Sequence, residues 1–208
     1  AGEAEGAVQV RIAVVITARP SYSRVRSVLA ALQDRCELQV ITAASALMTK
    51  FGRVVDEIVA DGFPVLAELP CVVEGDGTQE SAISTGLLTT QMASTLATFR
   101  PGWVVTIADR HETLATAIAA SYQNIPLCHI QGGEVSGSID DKVRNAITQL
   151  ADMHCVSNEI AARNVQRMAP GADIHVTGCP SIDLAAEAKQ LGALPGHEAV
   201  VLQHPVTT

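Results

Sequence analysis

The feature that most constrains the fold of this chain is the regular alternation of short apolar runs with longer segments of helical spacing. Continuous apolar runs are typical of strands buried on both faces, and apolar residues at steps of three and four indicate helices. The predicted strands are 8–16, 37–42, 66–73, 104–108, 125–130, 154–157, 174–177 and 200–203, and the predicted helices are 21–32, 45–60, 80–99, 111–122, 139–151, 159–168 and 182–191. This alternation predicts an α/β fold built on a doubly wound parallel sheet.

Charge, composition and cysteine usage narrow the class of protein. The net charge is −8, so the phosphate backbone of a nucleic acid is not an expected partner. No apolar run approaches the roughly 18 residues of a membrane span, and the acidic residues 1–7 resemble a disordered leader rather than a signal peptide. The five cysteines are scattered and include no CxxC pair, which argues against a disulfide framework or a metal site. We therefore expect a cytoplasmic protein without a membrane, nucleic-acid or metal partner.

Polar residues at the carboxyl ends of the predicted strands are the candidate site residues, because ligands of doubly wound sheets bind there. After the first strand, Arg19 stands at the strand end, and Pro20 or Ser21 begins the next helix. An arginine beside helix-start N–H groups suits a phosphate or uronate group. The alternative is that Ser21 caps the helix and Arg19 is a surface residue. No GxGxxG pattern is present, which counts against a dinucleotide cofactor.

A second cluster follows the predicted strand 104–108. Asp109 at the strand end is a candidate N-cap for the next helix. Arg110, His111 and Glu112 add three ionisable groups to the same turn, and such crowding is commoner at active sites. From the residues alone, both interpretations of Asp109 stay open.

Residues 129–144 combine a strand end, a glycine-rich bend and a helix start. Gln131 is predicted to lie just past the strand and to point into the ligand crevice, where glycines let the backbone approach a ligand closely. Glu134 is a base, a hydroxyl clamp or a solvated loop carboxylate. Either of the two aspartates that open the helix can pair with Arg144 on the helix surface.

His204 follows the last predicted strand, near the end of the sequence. A histidine at a strand end suits proton transfer near neutral pH. Three further histidines adjoin predicted strands without a cluster of carboxylates or cysteines, and a fourth lies in a predicted linker. We expect structural or idle roles for these four: His129, His154, His175 and His197.

Taken in order, these motifs resemble those of the UDP-N-acetylglucosamine 2-epimerases, most closely the hydrolysing branch. The motifs are TARPSYS, ADRHE, HIQGGEVSGSIDDKVR, TGCPSID and HPVTT, and the resemblance runs from about residue 10 to the last residue. It implies the two-domain glycosyltransferase-B architecture, with two Rossmann-like halves and a site between them. On this comparison residues 8–190 are the N-terminal half, and residues 191–208 are a linker and the start of a C-terminal half.

The same resemblance implies roles for individual residues. Gln131 stands where several members carry a catalytic glutamate, so it cannot act as a base, and Glu134 becomes the candidate in its place. The implied catalytic residues are Asp109, Glu134, Asp141 and His204, and the implied substrate-binding residues are Arg19, Gln131 and Arg144.

The chemistry implied by the resemblance has two stages and needs no cofactor. Loss of the C2 proton and of UDP from C1 leaves a 2-acetamidoglucal, and water then adds to release N-acetylmannosamine for sialic or related nonulosonic acid synthesis. A UDP-sugar is thus the expected ligand, and the complete enzyme is expected to be a homo-oligomer. A 2,4-diacetamido substrate, a non-hydrolysing epimerase, a glycosyltransferase and a non-catalytic binding domain stay open. We expect this chain alone to fold without turning over substrate.

Overall fold

The computed structural model describes residues 9–75 and 77–190, which form a seven-stranded parallel sheet covered by helices. In space the strands follow the order β3-β2-β1-β4-β5-β6-β7. The strands are β1 (Arg11–Ile16), β2 (Glu37–Ala43), β3 (Val65–Leu69), β4 (Trp103–Ile107), β5 (Leu127–Ile130), β6 (Met153–Val156) and β7 (Asp173–Val176). The helices are α1 (Arg19–Gln33), α2 (Val55–Ala60), α3 (Thr78–Phe99), α4 (His111–Ser121), α5 (Ile139–Leu150), α6 (Glu159–Met168) and α7 (Ser181–Gln190).

Two apolar layers bury the two faces of the sheet. One layer packs α3, α4 and α5 against side chains such as Val104 and Leu127. The other packs α1 and α2 against Val14, Val105 and Cys128. Alternate residues of β4 and β5 enter opposite layers, which is why these strands are largely apolar and are buried along almost their whole length. No helix in the described ranges is long and apolar enough to cross a membrane.

The strand order reverses between β1 and β4, which are neighbours in the sheet although β2 and β3 separate them in the chain. From β1 the chain continues to β2, toward one edge of the sheet, and from β4 it continues to β5, toward the other edge. The resulting crevice lies beyond the carboxyl ends of the strands and is the usual ligand position in doubly wound folds. The residues that follow β1, β4 and β5 are therefore the ones positioned for function.

The predicted single helix over residues 45–60 was wrong. The segment forms two short 3₁₀ turns, Ala44–Leu47 and Thr49–Phe51, before α2 begins at Val55. Gly52 has a φ of 81°, and this left-handed conformation interrupts the right-handed path. A side chain at Gly52 would also crowd the guanidinium of Arg19, whose Nη2 lies 2.8 Å from the position of a Cβ.

Most other predicted elements are confirmed within a few residues. The strand predicted at 66–73 is shorter, because the chain leaves the sheet after Leu69. The predicted leader 1–7, the segment 191–208 and the strand 200–203 lie outside the described residues.

Candidate active site

Arg144 lies at the centre of the candidate site, where the chain after β4 and β5 meets the start of α5. Its side chain is 4% exposed. Nη1 donates to Oδ1 of Asp141 at 2.5 Å and to the carbonyl of Glu134 at 2.7 Å. Nη2 donates to Asp109 and to Oγ of Ser136 at 3.3 Å. These five residues are called the Arg144 network below, and they join a strand end, a loop and a helix.

The alternative in which Arg144 is only a helix-surface partner of an aspartate was wrong, because its side chain is buried. The loop after β5 folds over the first turn of α5, so a position that helical spacing would leave exposed is covered. Of the two aspartates that open the helix, only Asp141 pairs with Arg144. Asp140 accepts a hydrogen bond from Ser138 Oγ at 3.1 Å instead, and Ser138 is the N-cap of the helix.

Asp109 bonds across the sheet edge to Arg144 rather than capping α4. The N-cap position of that helix is Arg110, and no side chain caps it, so the capping interpretation of Asp109 was wrong. The other charges of the turn pair locally, because Arg110 donates to Glu112 through Nε at 3.0 Å and Nη2 at 2.9 Å. This bond raises the pKa of Arg110. Asp109 is therefore the carboxylate of the turn that reaches the Arg144 network.

Asp141 fixes the loop before α5. Its Oδ1 accepts from the Ser136 amide at 2.8 Å and from the Ser136 hydroxyl at 2.9 Å, and its Oδ2 accepts from the Gly137 amide at 2.7 Å. These donors, the two backbone amides first, hold the pKa of Asp141 well below its usual range. Asp141 is therefore ionised at neutral pH, and both of its oxygens are engaged.

Glu134 also has a defined partner. Its Oε1 accepts from Ser157 Oγ at 2.7 Å. The residue lines a cavity of about 290 Å³ together with Asp141, Asn145 and Asn164. The bond from Ser157 argues against a carboxylate free in solvent, and the predicted roles as a base or as a clamp for a ligand hydroxyl stay open.

Gln131 lies just past β5, as predicted, but its side chain does not stand free in the crevice. Oε1 accepts from Arg24 Nη1 at 3.1 Å, and Nε2 donates to Cys179 Sγ at 3.0 Å. The residue is buried and has a φ of 64°. Gln131 thus joins α1 to the turn before α7. The sequence analysis missed Arg24, since helical spacing carries no signal for a contact 107 residues away.

Arg19 is the first residue of α1 and lies apart from the Arg144 network. Its Nη2 pairs with Glu57 and donates to the carbonyl of Gly52 at 3.3 Å, and its side chain is 51% exposed. The N-cap position is Ala18, with no side-chain cap, so capping by Ser21 was wrong. Arg19 therefore stands at a helix start without a side-chain cap beyond β1, held by an exposed ion pair and one hydrogen bond to a backbone carbonyl.

Two of the four histidines expected to be structural or idle are buried in the sheet. His129 and His154 lie on β5 and β6 with their rings in a T-shaped arrangement, 6.3 Å apart. His204 lies outside the described residues, so its predicted position near the site stays a prediction.

The sheet and its polar edge place the molecule among the Rossmann-like α/β proteins. The chain belongs to the UDP-N-acetylglucosamine 2-epimerase family, since the profile of that family matches residues 30–207. The resemblance predicted from the motifs is thereby confirmed.

Individual relatives agree with this assignment. A hydrolysing UDP-N,N'-diacetylbacillosamine 2-epimerase of Legionella pneumophila is 31% identical over 83% of this chain and 47% of its own length. A UDP-N-acetylglucosamine 2-epimerase of Neisseria meningitidis is 28% identical over 95% of this chain and 55% of its own length. The chain therefore spans about half the length of these curated relatives.

Solved structures show the same fold. The Neisseria meningitidis epimerase bound to UDP-GlcNAc superposes with a TM-score of 0.73 at 22% identity, over 86% of this chain and 50% of that one. A Listeria monocytogenes relative gives 0.75 at 18% identity, over 86% of this chain and 48% of that one. The described residues thus form the N-terminal, Rossmann-like half of the glycosyltransferase-B-type architecture, as predicted.

Proposed function

We propose that the protein is a hydrolysing UDP-N-acetylglucosamine 2-epimerase, or a close relative acting on a 2,4-diacetamido sugar nucleotide, in nonulosonic acid synthesis. Family membership supports an epimerase. The hydrolysing branch is supported by the Legionella relative and by a hydrolysing GDP/UDP-N,N'-diacetylbacillosamine 2-epimerase of Campylobacter jejuni, 27% identical over 76% of this chain. The observation that carries the proposal is the buried Arg144 network, which holds two carboxylates at the ligand edge of the sheet.

The proposed reaction begins with elimination. A base removes the C2 proton, the electron pair forms a C1–C2 double bond, and the C1–O bond to UDP breaks. Water then adds its oxygen to C1, and a proton returns to C2 from the opposite face, which inverts that carbon. The products are UDP and a free 2-epimeric sugar, so one water is consumed and no cofactor takes part.

Asp109 is the carboxylate best placed for acid–base catalysis. Arg144 binds its Oδ2, whereas Oδ1 has no partner among the contacts of the described residues. The side chain is 25% exposed, so Oδ1 is accessible to a ligand. Asp141 differs because protein donors occupy both of its oxygens. We assign proton transfer to Asp109, and we assign to Asp141 the fixing of Arg144 and its loop in place of the predicted catalytic role.

Glu134 is the proposed second acid–base residue. Its carboxylate is fixed by Ser157 and borders the cavity that Asp141 also lines. Gln131 has no acid–base function. Its amide instead fixes the residue after β5 by binding Arg24 and Cys179.

Positive charge for the diphosphate comes from Arg19 in this proposal. An exposed ion pair such as Arg19–Glu57 is worth little, so a diphosphate can displace the carboxylate. The helix start beside it adds the positive end of the helix dipole. It adds few free N–H groups, because Pro20 has none and the amides of Ser21 and Tyr22 donate to the Ala18 carbonyl. Arg144 is less suited to direct ligand contact than predicted, because protein acceptors take the bonds of both Nη atoms. His204 keeps its proposed place near the leaving phosphate.

The proposed setting is the cytoplasm. All five cysteines lie in the described ranges and are free thiols, which suits a reducing compartment.

The experiment incubates the native gene product that carries this sequence with UDP-N-acetylglucosamine and, separately, with a UDP-2,4-diacetamido sugar. Phosphorus NMR separates free UDP from intact UDP-sugar, and proton NMR identifies the sugar. We expect UDP and a free 2-epimeric sugar from one of the two substrates. A UDP-linked 2-epimer would instead assign the protein to the non-hydrolysing branch, and no turnover of either substrate would contradict the proposal.

A further inference from the structure

A histidine below the site bonds to the backbone of the turn that carries Asp109 and lies close to the glycine loop. His129 is fully buried on β5. Its Nε2 lies 2.9 Å from the carbonyl oxygen of Ala108, the residue directly before Asp109. Ala108 has a φ of 69°, a left-handed conformation that is uncommon for a residue with a Cβ. The hydrogen bond therefore fixes a strained turn that aims Asp109.

The ring has one defined tautomer. Burial lowers the pKa of His129 to about 4, and the groups facing it, His154 and Arg144, act in the same direction. The imidazole is therefore neutral near pH 7 and carries a single N–H. Since a carbonyl oxygen only accepts, the proton resides on Nε2, and Nδ1 is unprotonated.

The opposite edge of the His129 ring explains why residue 132 is a glycine. A Cβ at Gly132 would lie 2.9 Å from Nδ1 of His129 and 3.2 Å from Oγ1 of Thr148. Thr148 is one helical turn beyond Arg144 on α5 and is buried. His129 thus lies among the Asp109 turn, the glycine loop and the helix that carries Arg144.

We propose that His129 is a positioning residue for Asp109. By donating to the Ala108 carbonyl it holds the left-handed turn, and so sets the direction of the Asp109 carboxylate toward Arg144 and the ligand. The inference rests on the proposed function, because the acid–base role of Asp109 is proposed there. It goes beyond that function by assigning part of the site geometry to a residue that touches no ligand.

His154 provides the matched control. It is equally buried and belongs to the same pair of rings, but among the described residues no hydrogen bond joins its ring to a site segment. A packing role would make His129 and His154 equivalent, whereas a positioning role makes only His129 important for turnover.

The test compares three variants of the native gene product. We expect His129→Leu to lower kcat about 100-fold with KM changed only a few-fold, because a misplacement of ~1 Å in a reacting group has an effect of this order. His129→Gln, whose amide nitrogen reaches the position of Nε2, should restore kcat to within about ten-fold of wild type, while His154→Leu should keep it within a few-fold. Equal losses of kcat in the two leucine variants, or a glutamine variant as slow as His129→Leu, would overturn the proposal.

Nitrogen-15 NMR of residues 1–208 tests the same hydrogen bond without any turnover. We expect the His129 ring to show protonated Nε2 and bare Nδ1, unchanged from pH 8 to pH 5. A proton on Nδ1, or titration near pH 6.5, would overturn the positioning role even in an active enzyme. If the native gene product turns over neither substrate, the proposed function fails, and the ring spectrum still decides whether His129 holds the turn.

Discussion

At the scale of single residues, the buried guanidinium of Arg144 determines what the two aspartates can do. It pairs with both, but Asp141 also receives two backbone amides and a hydroxyl, whereas Asp109 keeps one oxygen without a described partner. Two carboxylates bound to one arginine thus differ in their remaining capacity to accept a hydrogen bond from a ligand. On this difference we base the assignment of a structural role to Asp141 and of a catalytic role to Asp109.

The first prediction concerns the Arg144 network and stability. Arg144→Ala should lower the free energy of unfolding by about 2–3 kcal/mol, because it removes charged hydrogen bonds in a buried position and leaves two carboxylates without their cation. Arg163→Ala, at an exposed position of α6, is the control and should change it by less than about 0.5 kcal/mol. Urea denaturation of residues 1–208 measures both, and equal small effects would show that Arg144 is a surface residue after all.

In contrast to Arg144, Arg19 should affect ligand binding more than stability. Arg19→Ala in the native gene product should weaken UDP binding about 10-fold or more, the effect of losing a charged hydrogen bond, and should change stability by less than ~1 kcal/mol because its ion pair is exposed. Arg26→Ala, on the same helix and paired with Asp61, is the matched control and should leave the affinity unchanged. Calorimetric titration with UDP decides the matter: an unaltered affinity in Arg19→Ala contradicts the diphosphate role.

At the scale of elements, the loop from Gln131 to Ser138 docks between α5 and α6. Asn164 Nδ2 donates to the Gly133 carbonyl at 2.8 Å, and Gly133 has a φ of 79°. A Cβ there would overlap the carbonyl oxygen of Ala161 on α6. Gly137 has nearly the same φ, 80°, but open space around it. Comparing alanine substitutions at Gly133 and Gly137 therefore distinguishes the cost of backbone strain from the cost of a steric clash.

We expect Gly137→Ala to cost about 1–2 kcal/mol of stability through left-handed strain alone. Gly133→Ala should cost at least ~2 kcal/mol more, because the backbone of α6 must move away. Chemical denaturation of the two variants checks the difference. Equal costs would mean that the loop does not pack against α6 as described.

The sequence predicted most of these elements because apolar periodicity reports burial, and burial follows from the two layers on the sheet. It failed at 45–60, where apolar steps of three and four continued through Gly52 although the backbone turned left-handed there. Periodicity records which side chains face the core and carries no information about φ. Ala108 and Gln131, at the ends of two strands, are also left-handed. Neither alanine nor glutamine predicts that conformation from the sequence.

The site residues were predicted only in part. Strand ends and the family resemblance singled out Asp109, Asp141 and Arg144, and the structure brings these three together. Their contacts were not predictable, since Arg144 and Asp109 are separated by 35 residues. Arg24 and Ser136 escaped notice because each acts through a loop conformation that exists only in the folded chain.

At the scale of the whole molecule, the sheet has helices on both faces, while the proposed catalytic set includes a residue outside the described part. We expect residues 1–208 to unfold in one cooperative thermal transition, because two apolar layers bury the sheet. We expect no sugar release from this chain alone, because the relatives it matches are about twice its length and the cleft wall opposite Asp109 would come from their second half. Calorimetry and NMR of the isolated chain test the two statements, and measurable turnover would contradict the second.

The central claim is that a free sugar forms by elimination and rehydration, with Asp109 transferring the proton. The most direct measurement runs the reaction of the native gene product in D₂O and reads the sugar by proton NMR. We predict a free 2-epimeric sugar with one deuterium at C2, and we predict that Asp109→Asn slows its formation by about 10²-fold or more while Asp140→Asn does not. A free sugar that keeps its C2 proton and configuration, a deuterated sugar still attached to UDP, or an Asp109→Asn enzyme of normal rate would contradict the account.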